Sequence, residues 1–338
     1  MDIKGALARI AARQDLTGEE MRSVMSTIMS GEATPSQIGA FLIGMRVKGE
    51  TVGEIAAAVS ILREQMVPVS APDNAIDIVG TGGDGVGSLN ISTATALVVA
   101  AAGVPVAKHG NKALSSRSGS SQALEALGVK LDLTPEQIGN TIAEANIGFM
   151  FAPHHHPAMR HVGPARAEMG VRTLFNLLGP QSNPAGVRRY LLGVYDQEWV
   201  EPVAAALLAN RAIKAWVVHS SEGLDELSTS GPNFVAQIAN GDLRSFELHP
   251  EQVGLKLTDP KDLLGGEPAE NAAAIMALFE GAPGAYRDTV LLNAAAALVV
   301  ADKVGTIEEG IALARETVDT GKAKETLARL VAVSNRQA

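Results

Sequence analysis

The chain has 338 residues, 46% hydrophobic and 19% charged, with a net charge of −9 and no cysteine. That length allows about two domains with a sizeable core and excludes a disordered chain, while the acidic balance argues against nucleic acid as the main partner. The missing thiols exclude disulfides, thiolate nucleophiles and cysteine-based zinc sites, and they suit a reducing cytoplasm. The start, MDIKGALARIAARQD, has an acid at position 2 and no apolar run, so no secretory signal is expected there. The longest apolar stretches, such as 94–107 with its Pro105, are too short to span a bilayer, so no membrane partner is expected.

Residues 1–68 read as helices. Three capping boxes stand in series: Thr17 with Glu20, Thr34 with Gln37, and Thr51 with Glu54. In each, the threonine oxygen accepts from a free amide and the residue three later reaches back. Gly31 and Gly49 stand where helices should stop, and Pro35 fits a first helical position. Met21, Met25 and Met29 recur every four residues, an apolar stripe fit for a core or for a subunit interface. From Ala75, short β-rich runs alternate with helical ones: AIDIVG, TATALVVAAAG, VPVAKHG, SQALEALG and VKLDL, then IGFMFAP, RYLLGVY, AIKAWVVHS and FVAQIANG. Strands alternating with helices predict an α/β domain. Residues 159–183 read as helical again and are expected to pack back on the N-terminal helices. From Asn271 further helices follow, among them RDTVLLNAAAALVVA and EGIALARETVD.

The stretch DIVGTGGDGVGSLNIST, from Asp77 to Thr93, carries glycines at 80, 82, 83, 85 and 87 and one carboxylate, Asp84, in their midst. Gly80, Gly82 and Gly85 match G-x-G-x-x-G between a strand and a helix. A dinucleotide site also needs an acid about 20 residues on, and none occurs between Asp84 and Glu125. A Walker loop fails as well, because Gly87 is followed by Ser88 and Leu89. The acid-free stretch instead holds Lys108, Lys112 and Arg117 among many Ser, Thr and Asn residues. Two glycine- and serine-rich turns, GTGGDGVGSLN and GNKALSSRSGSS, each precede a helix. Helix N-termini offer free amides and a positive dipole end, so two adjoining cradles indicate a ligand with two phosphate groups; two ordinary capped surface turns are the plainer alternative.

Asp225 and Glu226 follow the strand AIKAWVVHS. Open α/β sheets bind ligands beyond the carboxyl ends of their strands, and paired carboxylates there suit magnesium bound with substrate phosphates; a solvated surface pair is the alternative. His154, His155, His156 and His161 do not make a zinc pattern, and a loop placing one or two of them near substrate is expected. Arg160, Arg166 and Arg172 fall in a predicted helix, six residues apart and so not on one face. One of them could take a substrate carboxylate through its fork, or each could serve a surface ion pair.

Taken together, GTGGDG (80–85), NIST (90–93), KHGN (108–111), SSRSGS (115–120), HPAMRHVGPAR (156–166), RTLFNLLGPQSNPA (172–185) and GLDELS (223–228) closely resemble the anthranilate phosphoribosyltransferase family. The motifs fall in the family's order and cover nearly the whole chain. The resemblance implies a fold of the nucleoside phosphorylase and phosphoribosyltransferase type. A small all-helical domain, 1–68 with about 159–185, would accompany a larger α/β domain, 69–158 with 186–338, whose central, mostly parallel sheet is flanked by helices. It further implies transfer of phosphoribose from phosphoribosyl pyrophosphate to the amine of anthranilate in tryptophan biosynthesis. Magnesium, two ions per subunit, and a cytoplasmic homodimer joined through the helical domain belong to the same expectation.

Carried over by motif, the phosphoribosyl substrate would contact Gly80, Gly83, Asp84, Ser88, Asn90, Ile91, Ser92, Thr93, Lys108, His109, Gly110, Asn111, Lys112, Ala113, Leu114, Ser115, Ser116 and Ser120. Anthranilate would contact Gly80, Asn111 and Arg166. Ser92, Asp225 and Glu226 would hold the metal. No dedicated catalytic nucleophile is expected; Lys108 and magnesium would stabilise the transition state. Ser88 stands where the family commonly has threonine, Lys112 where arginine is frequent, and Ser121-Gln122 where Ala-Asp is usual. A pyrimidine nucleoside phosphorylase of the same fold and a non-catalytic, nucleic-acid-binding paralogue are the competing readings.

Overall fold

A computed structural model describes residues 1–112 and 117–336. The N-terminal unit is built from α1 (Ile3–Ala11), α2 (Gly18–Met29), α3 (Pro35–Lys48) and α4 (Val52–Gln65). All three expected capping boxes form, at Thr17, Thr34 and Thr51, and Asp2 caps α1 by accepting from the Gly5 amide. Gly49 follows α3 at φ 89°, a left-handed conformation that costs glycine little. Met21, Met25 and Met29 are all buried within this chain, so the methionine stripe is core. Glu54 does more than close its box: its carboxylate, 0% exposed, also accepts from the Leu16 amide at 2.8 Å and from Lys48 Nζ at 2.9 Å. One buried side chain thus ties the α1–α2 connection to α3 and α4.

The α/β unit runs β1 (Ile76–Gly80), α5 (Ile91–Ala101), β2 (Val106–Gly110), α6 (Ser120–Ala126), α7 (Pro135–Ala145), β3 (Ile147–Phe151), α8 (Ala152–His155), α9 (Gly163–Met169), α10 (Leu174–Leu178), β4 (Arg189–Gly193), α11 (Val200–Ala209), β5 (Lys214–Ser220), β6 (Asn233–Ala239), β7 (Asp242–Leu248), α12 (Pro268–Phe279), α13 (Ala285–Val300), α14 (Ile307–Asp319) and α15 (Lys322–Arg336). Among the described residues the sheet order is β3-β2-β1-β4-β5-β6-β7, parallel through β5 and antiparallel beyond. Alternate side chains of the strands feed two cores. Val79, Ala107, Met150, Tyr190 and Leu192 join the core of the helical unit and α11, whereas Ile76, Ile78, Val106, Phe149 and Leu191 pack under α5 and α13. No helix among the described residues is long and apolar enough to cross a membrane.

Three expectations need correction. VKLDL is not a strand: Val129, Leu131 and Leu133 are buried in alternation, but among the described residues no strand lies alongside, and the Lys130 amide bonds to Ser334 of α15 instead. The sequence reading stopped at β6 and missed β7, which returns through Asn240 and Gly241, both at positive φ. Residues 159–183 are not one helix but a 3-10 turn (Pro157–His161), α9, α10 and another 3-10 turn, with Gly170 at φ 60° between the two helices. The segment does lie against the N-terminal helices. Arg46 of α3 donates to the Arg172 carbonyl at 2.5 Å and Arg63 of α4 to the Gln181 carbonyl at 2.9 Å.

Because Lys48 and Glu54 are 2% and 0% exposed at their side chains, removing one strands the other as a buried charge. Glu54→Ala is expected to cost about 3 kcal/mol in urea unfolding. A loss below about 1 kcal/mol would mean that Lys48 is satisfied by Asp15 and solvent alone.

Candidate active site

In the sheet, β2 and β3 lie to one side of β1 while β4 and β5 lie to the other, so the strand order reverses between β1 and β4. A crevice opens beyond the carboxyl ends of the strands at such a point. The glycine loop leaves β1 there. Gly82, Gly83, Gly85 and Gly87 have φ of 63°, 71°, 82° and 69°, a run of left-handed residues that only glycine adopts at little cost. The loop after β5 folds over it. Asp225 Oδ2 accepts from the Gly82 amide at 2.7 Å, and Glu226 Oε1 accepts from the Ser92 amide, in the first turn of α5, at 3.1 Å. The approach is so close that a Cβ at Gly80 or at Gly193 would run into Asp225.

Burial pushes both carboxyls up from their ordinary pKa range. Asp84 beside Asp225, and Asp225 beside Glu226, push them further by repulsion. Asp84, the carboxylate in the midst of the glycines, therefore belongs to this acidic group, and it also accepts from the Val86 amide of its own loop at 3.1 Å. Lys108 is buried nearby, its ammonium donating to the Ile78 carbonyl at 2.5 Å. Burial lowers its pKa, and Asp77, Glu226 and Asp225 oppose that in turn.

The second cradle adjoins the first. Asn90 bonds to Ser118 in both directions, and Ser120 Oγ donates to the Asn111 carbonyl at 3.3 Å. Lys112 lies near the Phe151 ring, 5.8 Å from its centroid. Ala113, Leu114, Ser115 and Ser116 lie outside the described residues.

The three arginines separate. Arg160 sits on the 3-10 turn beside His161. Arg166 is half-buried on α9, its guanidinium 5.5 Å from the Phe175 ring centre, with burial lowering its pKa. Arg172, in the loop before α10, is the one that reaches the glycine loop: it donates to the Gly83 carbonyl and lies 4.5 Å from the Tyr195 ring centre. Sequence reasoning gave it no such role, because the contact spans 89 positions. Among the histidines, His109 and His156 face each other at 5.1 Å between ring centres. His155 Nδ1 pairs with the Val67 carbonyl at 3.0 Å. Next to His109, Asp77 accepts from its amide and from Asn183, and burial raises Asp77 to about 6 against the pull of Lys108.

For a metal, no group of three or more His, Cys, Asp or Glu residues converges among the described residues. Magnesium rarely needs such a cage. It binds through one or two carboxylates and completes its shell with water and substrate phosphate oxygens. Asp225 and Glu226, hard oxygen donors, the first buried and the second half-buried and each repelling the other, fit that requirement.

Residues 4–66 match the helical bundle domain of the glycosyl transferase family, and 72–324 match the a/b domain. The chain is 58% identical over 334 residues to the anthranilate phosphoribosyltransferase of Parvibaculum lavamentivorans, covering 99% of this chain and 98% of that one. With the enzyme of that name from Bradyrhizobium sp. the identity is 55%, covering 99% of both. The chain belongs to the anthranilate phosphoribosyltransferase family. Among solved structures it is similar to the anthranilate phosphoribosyltransferase of Thermus thermophilus, with a TM-score of 0.92 and 46% identity over 98% of this chain and 99% of that one. The anthranilate phosphoribosyltransferase of Saccharomyces cerevisiae, solved with phosphoribosyl pyrophosphate and magnesium, gives 0.89 and 26%, covering 99% and 98%. Membership in this family of pentosyltransferases replaces the phosphorylase and nucleic-acid-binding alternatives.

The histidine cluster gives a pH prediction. Burial is the main cause that lowers His156, to about 4, with His155 adding repulsion; His109 is also lowered, by burial and by its histidine and lysine neighbours. A histidine whose folded pKa is depressed contributes stability above its unfolded pKa and loses it as pH falls toward the folded value. Wild-type stability in urea should therefore decline between about pH 6.5 and about pH 4 more steeply than that of His156→Gln. Equal declines would show that His156 carries none of this linkage.

Proposed function

We propose that the crevice binds phosphoribosyl pyrophosphate across its two loops and passes the phosphoribosyl group to the amine of anthranilate, the reaction of the family in tryptophan biosynthesis. The observation that carries this reading is the acidic pair Asp225–Glu226 folded onto the amides of Gly82 and Ser92. A site for bare phosphate would be weakened by those charges; a site for a cation-bound pyrophosphate uses them. In the reaction the bond from the ribose anomeric carbon to the pyrophosphate oxygen breaks and the leaving group takes the electron pair. The amine lone pair forms the new carbon–nitrogen bond, and the amine proton is lost to solvent. An aromatic amine is neutral at pH 7, so no strong general base is required, and alignment of the two substrates is the main task.

In this reading Gly80, Gly83, Asp84, Ser88, Asn90, Ile91, Ser92 and Thr93 hold one end of the phosphoribosyl substrate, and Lys108 to Lys112 with Ser120 hold the other. Ser92, Asp225 and Glu226 would hold magnesium, two ions per subunit, which supplies charge neutralisation of the pyrophosphate when bound. Lys108, fixed beside the acidic pair, offsets part of its negative charge and would help stabilise the transition state. Arg166 takes the anthranilate carboxylate, beside Gly80 and Asn111; its guanidinium has no carboxylate partner among the described residues. The helical unit, 1–68 with 159–185, works as a domain that closes over 69–158 and 186–338. A homodimer through that unit is supported by Ile43 and Val47 of α3, apolar side chains left 40% and 62% exposed.

Incubation with anthranilate, phosphoribosyl pyrophosphate and magnesium should consume anthranilate fluorescence; no turnover by folded protein would overturn the reading. Replacing Asp225 and Glu226 together by Ala should lower turnover by about 100-fold or more, on the scale of losing a preorganised electrostatic contact. The same change should leave the ligand-free protein folded, checked by circular dichroism. Unchanged turnover at saturating substrate would make the pair decoration. Arg166→Ala should raise the KM for anthranilate by about tenfold or more, as loss of a charge-assisted bond would. A defect confined to phosphoribosyl pyrophosphate would contradict that role.

A further inference from the structure

A segment outside every assigned motif is laced to the phosphate-binding loops. Residues 263–265 run alongside the end of the glycine loop. The Leu89 amide donates to the Leu263 carbonyl at 2.9 Å, the Gly265 amide donates to the Gly87 carbonyl at 2.9 Å, and Ser88 and Leu264 form an antiparallel bridge. The contact is backbone to backbone, and a Cβ at Gly265 would press into Ser88 and Leu89. The segment continues into α12, where Asn271 is 1% exposed. Its side chain is used at both ends: Oδ1 accepts from the Gly266 amide at 2.8 Å, and Nδ2 donates to Asn90 Oδ1 at 2.8 Å. Tyr286 of α13 adds a hydroxyl donated to the Asn90 carbonyl at 3.1 Å.

Asn90 is where the two cradles meet. It stands at the N-cap position of α5 but makes no side-chain cap. Its amide is instead spent on Ser118 of the second loop, accepting from Ser118 Oγ at 3.2 Å and donating to the Ser118 carbonyl at 3.4 Å. The orientation of that amide is set by Asn271, which needs an oxygen facing it, and the free amide edge then faces the Ser118 carbonyl. Turning Asn90 over would set two NH2 groups against each other and leave the Ser118 carbonyl without this donor.

We propose that the 263–271 strap fixes the spacing between the two phosphate-binding loops, with Asn271 as a positioning residue for phosphoribosyl pyrophosphate. Asn271 acts through Asn90 and touches no substrate. The proposal rests on the reading of these loops as the phosphoribosyl pyrophosphate site. A ligand with a phosphate at each end of a ribose is sensitive to that spacing, whereas anthranilate, held chiefly through its carboxylate by Arg166 outside both loops, is less so.

The test is Asn271→Asp, nearly isosteric, which keeps the acceptor for Gly266 and loses the donor to Asn90. The KM for phosphoribosyl pyrophosphate should rise by about tenfold, the size of one buried hydrogen bond, while the KM for anthranilate changes less than about twofold. Product inhibition by pyrophosphate should weaken in parallel with the first effect. Tyr286→Phe, which removes one hydroxyl and keeps the ring, should move the same constants in the same direction by a smaller factor, and it serves alone where Asn271→Asp does not fold. A lowered melting temperature with both KM values unchanged would reduce the strap to ordinary packing and overturn the proposal, as would equal rises in both KM values. If the wild type itself shows no saturable dependence on phosphoribosyl pyrophosphate, it is the functional reading that fails.

Discussion

Asp225 is held almost out of water beside Asp84, with the half-buried Glu226 next to it, at the point where the sheet reverses its strand order. Like charges in a low-dielectric setting are costly, and the surrounding structure is arranged to bear that cost. Backbone amides of Gly82 and Ser92 donate to one carboxylate each, and Lys108 brings a buried positive charge from the neighbouring strand. The glycines at 80 and 193 are a direct consequence, since nothing larger leaves room for Asp225.

The two faces of the sheet are covered unequally. The face under α5 and α13 is an ordinary apolar core, and it carries the helix whose first turn meets Glu226. The opposite face carries the polar line Asp77, His109, His156 and Asn183, and it is shared with the helical unit. Elements from both units therefore border the crevice, and the glycine loop is held by each of them: by Asp225 from the sheet side and by Arg172 from the segment that packs on α3.

What was legible in the sequence was local. A threonine with an acid or amide three residues later makes its capping box wherever it stands, so α2, α3 and α4 could be placed from four residues each. Glycines at left-handed φ are equally local, and they marked the loop. VKLDL misled because alternation reports which side chains are buried and not whether a strand lies alongside; Val129, Leu131 and Leu133 are buried against helices. β7 escaped because DLRSFEL sits at the sheet edge with mostly exposed side chains, and its only signal was the Asn-Gly turn before it. Arg172 and Asn271 were beyond reach for another reason: their partners lie 89 and 181 positions away, and no spacing rule spans that distance.

Arg63 has a consequence for any closing motion. From α4 its guanidinium reaches three places at once: the Gln181 carbonyl, the Asn210 carbonyl at the end of α11, and the Tyr190 hydroxyl on β4. Asn210 returns a bond to the Ala56 carbonyl of α4. A body pinned along one rod turns about that rod. Displacement is then smallest at α4 and grows with distance from it, toward α1, α3 and the α9 segment beside them. Any rotation about α4 would therefore displace Arg166, on α9, further than the residues gathered around Arg63.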